Sequence, residues 1–225
     1  MKKIMMVAMA LIVACGVVFA DKDEQKELNK ERQEIRKLAK SELKARVDKT
    51  TKKAAKKYIK EGWEVKPGAL PIEKQLERSY LMQFEYDENN YPKYIMGEAS
   101  SIGENYDAAK TAAMSLAITN LAGQIQTEVS ALIENTVGNK QLAPEDAVSI
   151  TESVMASKNS IAQSLGRVIP VTEMYRRVKN NNYEVQVRIA YNGEMAKQAT
   201  KNAVRKELEK KGMDLHEQLD KVLGF

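Results

Sequence analysis

A chain of 225 residues with 30% charged side chains, 6% aromatics and a formal net charge of +5 is long enough to bury one good core, yet too mildly basic to read as a nucleic-acid binder. Its one cysteine, Cys15, excludes a disulfide framework, and its one histidine, His216, excludes a structural zinc site built on Cys and His.

Lys2 and Lys3 precede a run from Ile4 to Phe19 that carries no charge, and Asp21-Lys22-Asp23-Glu24 restores charge at once. That is the layout of a secretory signal peptide over residues 1–20, cleaved between Ala20 and Asp21. The run is too short and too early for a membrane span, and no later stretch approaches the ~18 apolar residues a spanning helix needs. Ile12-Val13-Ala14-Cys15 leaves a second outcome open, because it has the form of a lipobox in which Cys15 is acylated and becomes the first residue. Either route delivers the chain to the periplasm or the outer membrane.

Residues 21–61 contain no Gly or Pro and are rich in Lys, Glu, Ala, Leu and Arg, which predicts one long charged helical arm. Leu28, Ile35, Leu38 or Ala39, Leu43 and Val47 form a narrow apolar stripe along it. Eleven basic residues between Arg36 and Lys60 face only Glu42 and Asp48, so the segment 36–60 reads either as a solvated face or as a contact for acidic glycan or lipid head groups. A connector over 62–78 follows, with a turn at Pro67-Gly68, one or two helical turns after Pro71, and Trp63 as the side chain that anchors the arm.

The rest predicts an α+β domain over 79–211. Tyr80, Met82, Phe84 and Tyr86 alternate with Leu81, Gln83 and Glu85, which reads as a strand, with Tyr94 to Ser101 returning as its hairpin partner across a turn at Asp87–Pro92. Asp87 and Glu88 there read as a solvated turn, not metal ligands. Ser101 and Glu104 have capping-box spacing and open a main helix to about Val137, with Ala109, Ala113, Leu116, Leu121, Ile125, Val129 and Leu132 on its apolar face. No charge occurs from Thr111 to Thr127, so this helix is expected to be covered on two sides, by the sheet and a neighbouring helix or by a second copy. A helix from Pro144 to Leu165 follows, then a second hairpin of Val168–Val178 and Tyr183–Tyr191 around Asn180-Asn181-Asn182, a helix from Glu194 to Lys211, and a short helix within 212–225. The expected fold is thus an antiparallel sheet of about four strands in two hairpins, packed by two central helices, with a long basic N-terminal helix and a C-terminal helix.

Nothing in the pattern equips an enzyme. No Walker or dinucleotide glycine motif occurs, no Ser-His or Cys-His dyad can form without His216 in the charged tail, and no acid pair is marked out. Catalytic, cofactor and metal residues are therefore expected to be none. The tyrosines, crowded into the two hairpins, read as sheet core and rim in preference to a ligand platform.

Met96-Gly97-Glu98-Ala99-Ser100-Ser101 leading into an alanine-rich helix, then Leu121-Ala122-Gly123-Gln124-Ile125-Gln126-Thr127-Glu128-Val129, and later Glu173-Met174-Tyr175-Arg176 before Tyr183-Glu184-Val185-Gln186-Val187-Arg188, resemble the Lpp-twenty-type lipoproteins of bacterial envelopes, which are similar to flagellar accessory lipoproteins. The resemblance covers roughly residues 94–192 and brings no active-site residues. It implies a small α+β domain, outer-membrane association and self-assembly or scaffolding, with the long basic arm and the apolar run after Cys15 as departures. The expectation is an exported cell-envelope structural or interaction protein whose partners are itself or other envelope proteins. The alternative is a periplasmic module that binds an acidic glycan or lipid surface through 36–60.

Overall fold

The computed structural model describes residues 49–87, 92–138 and 141–224. The signal segment with Cys15, Ala20 and Asp21, the arm up to residue 48 and part of the Asp87–Pro92 turn lie outside the described residues.

One antiparallel sheet has the order β1–β3–β2, with β1 at Tyr94–Gly103, β2 at Ile169–Arg177 and β3 at Tyr183–Asn192. The second hairpin forms as its pattern predicts. Its turn places Asn180 and Asn181 at φ 62° and 60°, a left-handed conformation that asparagine tolerates better than most residues. On the central strand Val185, Val187, Ile189 and Tyr191 are buried on one face. Helix α3, Tyr106–Gly138, lies across that face against β1 and β3. It comes very close because β1 offers glycine: a Cβ on Gly97 would sit 2.4 Å from the Ala117 carbonyl oxygen and 2.7 Å from Leu121 Cβ.

The other side of α3 is covered by α4 (Pro144–Ala156), α5 (Lys158–Ser164), α6 (Gly193–Lys210) and α7 (His216–Leu223). The two-sided cover expected of the charge-free helix therefore comes from within the chain. Leu121, Ile125, Ile150, Val154, Ile161, Leu208 and Leu219 fill this core. Leu116 is the exception on α3: it is 49% exposed rather than inward. The expected helix from Pro144 to Leu165 is broken at Ser157, where the chain turns so that both pieces follow the core. The buried amide of Gln126 donates to the carbonyl oxygens of Val154 (2.6 Å) and Met155 (3.0 Å) beside that break.

The first hairpin does not form. Residues 80–83 belong to α2, Ile72–Gln83, so the sheet has three strands where four were expected. The run from Tyr80 carries two readings, and the helical one wins because Ile72, Gln75, Leu76 and Ser79 share a face buried against the back of the sheet. Tyr86 makes only an isolated bridge with Pro92. β1 accordingly pairs with β3 and extends to Gly103, past the expected Ser101 capping box. Asn105 caps α3 instead, its Oδ1 accepting from the Ala108 N–H at 2.9 Å.

The arm's described part is helical over 49–60, here α1. Gly62, at φ 82°, reverses the chain so that the Trp63 N–H donates to the Tyr58 carbonyl at 3.0 Å. Trp63 then packs with Ala55, Ile72, Leu76 and Met174 in a second, smaller core, with the Arg176 guanidinium 4.7 Å above its ring.

Candidate functional site

No group of three His, Cys, Asp or Glu side chains that could hold a metal occurs among the described residues. His216 begins α7, half-buried, with no hydrogen-bond partner for Nδ1. Nearby Asp220 meets Lys201 at 3.0 Å and Arg205 at 2.7 Å, an ion-pair cluster that ties α7 to α6.

The tyrosines separate. Tyr80 is on α2 and Tyr86 is exposed, so the tyrosines expected in the first hairpin form no platform among the described residues, while Tyr191 of the second is buried under α3. Tyr175 and Tyr183 do meet, 6.2 Å apart, and Tyr106 from α3 joins them edge-on at 5.4 Å. Sequence reasoning passed over Tyr106. The clue was its place in the first turn of α3, beside the sheet. Its hydroxyl donates to Glu173, which also receives Lys110 at 2.9 Å. Burial, and then the hydrogen bond to Glu173, raise the Tyr106 hydroxyl well above its ordinary pKa. Lys66 lies 3.9 Å over the Tyr106 ring, and Tyr175 donates to Glu64 at 3.2 Å. Every cation here already has a ring or a carboxylate. The cluster closes the β2 side of the sheet, where Glu64 and Tyr175 also exchange main-chain hydrogen bonds at 2.7 and 2.9 Å.

The β1 side differs. Among the described residues no strand pairs with its outer edge. Gly193 donates to the Lys93 carbonyl on the paired side, so by alternation Ile95, Gly97, Ala99 and Ser101 bond to β3, and the N–H and C=O groups of Met96, Glu98, Ser100 and Ile102 point outward. A groove of about 630 Å³ runs along the Tyr94–Glu98 half of this edge, bounded by the end of α2, by Asn120, Gln124 and Glu128 of α3, and by Lys158. Asn120 Nδ2 donates to the outward Glu98 carbonyl at 2.8 Å. The Glu98 carboxylate is held from behind by Arg188, Nε to Oε2 at 2.8 Å, and by Gln186, while Arg188 Nη1 donates to buried Ser79 at 2.8 Å. The one charge on the edge strand is thus neutralised and fixed.

No family model, no curated protein and no solved structure matches this chain.

Chemically the arrangement offers a row of main-chain donors and acceptors, of which the Glu98 carbonyl is already met by Asn120, and exposed apolar side chains such as Ile102, 59% exposed, with Lys158 and Glu128 on the rim toward Tyr94. Those are the materials for adding a strand.

Proposed function

We propose that this chain is an exported structural or interaction protein of the cell envelope, a non-catalytic scaffold that engages its partner by adding a strand to β1. The observation that carries this reading is the open edge of a ten-residue strand, free of proline and lysine and flanked by a groove. Proteins ordinarily blunt such edges with charge, proline or a bulge, since an exposed edge is a template for pairing. The opposite edge is blunted in this way, by Pro170, by the irregularity between Pro170 and Thr172, and by Glu64. Export rests on residues 1–20. The resemblance to the Lpp-twenty-type lipoproteins points the same way, toward the outer membrane and assembly.

The test is native electrophoresis of envelopes solubilised in mild detergent. The protein is expected in an assembly larger than its own processed chain, which is lighter than the 25.3 kDa of the full sequence. Ser100→Pro, which removes an outward N–H that β3 does not use, should release it to its own size. A wild-type chain that migrates alone would sink the scaffold reading.

One observation favours a second reading. On α1, Lys49, Lys52, Lys53, Lys56 and Lys60 are exposed at spacings of three and four, opposite the face that packs through Thr51 and Ala55. A single-sided row of lysines suits an anionic lipid or glycan surface. Vesicles containing phosphatidylglycerol should then retain the protein at low salt and lose it at several hundred millimolar, on the order of a fourfold shorter screening length. Retention by pure phosphatidylcholine would count against it.

A further inference from the structure

We infer that the strand added to β1 comes from a second copy of this chain, the two β1 strands pairing antiparallel about a two-fold axis near Ala99. This rests on the scaffold reading above and names its partner. An antiparallel ladder is the one pairing a strand can make with itself under a two-fold. With the axis at Ala99, the outward positions fall wholly within the strand: Met96 stands opposite the partner's Ile102, and Glu98 opposite the partner's Ser100. The exposed Ile102 side chain would then gain an apolar cross-strand neighbour, and no charge would face a like charge.

An independent feature falls at the same level. β1 and α3 run antiparallel, with Gly97 against Ala117 and Leu121, and Gly103 against Ala109. Ala99 is therefore level with Ser115 and Leu116. Leu116 lies one turn before Asn120, whose amide marks the edge side of the helix at Glu98. The exposed Leu116, the oddity on an otherwise inward apolar pattern, thus sits beside the axis the strand register requires. A two-fold perpendicular to the sheet places both α3 helices on one face, side by side, with Leu116 against the partner's Leu116. Small side chains of the same strip, Ala112 and Ser115, allow close approach.

Charge near the axis suits a second copy. The chain is 30% charged, yet α3 carries none from Thr111 to Thr127, and β1 carries only Glu98, bound to Arg188. The strip beside the axis carries no free charge, Lys158 and Glu128 lying farther along the groove toward Tyr94, so doubling that strip sets no like charges against each other.

Sedimentation equilibrium of the full chain isolated from its cells tests this. Wild type should associate to a dimer, with half-association in the micromolar range. Leu116→Lys sets two ammonium groups against each other at the axis and should weaken the dimer about 100-fold or more, while the variant keeps a cooperative melt because the side chain is on the surface of the folded chain. Ser100→Pro should do the same through the ladder. Val148→Lys, at a comparably exposed aliphatic position on α4, should leave the dimer intact. A wild-type monomer at about 100 μM overturns the inference, as does a dimer indifferent to Leu116→Lys. If the isolated chain is monomeric while the envelope assembly still breaks on Ser100→Pro, the second copy is wrong and the scaffold reading stands. If both are absent, both fall.

Discussion

The two faces of the sheet are built on opposite plans. Toward α3 the contact is dry and tight: Gly97 and Ala99 of β1 meet Ala113, Ala117 and Leu121, with no polar side chain between them. Toward α1 and α2 it is mixed. A small apolar cluster around Trp63 and Met174 sits beside Ser79, Arg188, Glu98 and Gln75, and the Gln75 side chain accepts from the Glu173 N–H at 2.7 Å. A dry face derives stability from shape and tolerates no added atom, whereas a mixed face derives register from directed bonds and tolerates loss better.

The largest effect that tests this contrast is a charge on the dry face. Ala117→Glu should cost about 5 kcal/mol or more and leave the chain unfolded, as judged by loss of a cooperative melt, because a carboxylate there has no partner and no water. A variant that keeps its melt would show that the face opens to solvent. Next comes the mixed face. Trp63→Ala should cost about 4 kcal/mol in urea denaturation, with loss of the ordered α1 but retention of the core around Leu121 and Ile150. Amide exchange separates the two: protection should vanish over 49–60 and persist in α3. Uniform loss would mean that the two faces fold as one unit.

Gly97→Ala should cost about 2–3 kcal/mol although it adds a single methyl, since backbone cannot swing away as a side chain can. The same change at Gly138, which has open space around it, should fall within about 0.5 kcal/mol. Equal effects at the two sites would remove the case for tight packing. The smallest effect is at the rim between the faces. Tyr106 is held neutral, so above its ordinary value of 10 the unfolded chain releases this proton before the folded one does. Its stabilising share is thus complete below pH 10 and fades as pH rises beyond. Absorbance titration should show one tyrosine ionising after the others, and Tyr106→Phe should delete that step.

The dry face was legible in the sequence because its residues repeat at helical and strand spacing: Ala109, Ala113, Leu121 and Ile125 on α3, and Val185, Val187 and Ile189 on β3. The mixed face was not. The residues from Tyr80 to Tyr86 alternate as a strand would, and only the surface waiting for Ile72, Leu76 and Ser79 decides for helix. That surface is made of Thr172, Met174 and Arg188, about 100 residues later in the chain. The edge site was half legible. Tyr94 to Ser101 reads as a strand, but which of its sides stays open depends on its pairing with β3 rather than with the segment before it. Leu116 was counted as core because its spacing fits. The exposure that makes it informative depends on where the edge of β1 lies.

Gln126 has a mechanical consequence. By gripping the carbonyls of Val154 and Met155 at the corner between α4 and α5, it keys that corner to the middle of α3 as a pin keys a shaft. Apolar helix contacts alone resist separation but allow axial creep. A pinned corner resists creep as well, so the register of α4 and α5 along α3 is fixed by direction and not by shape alone.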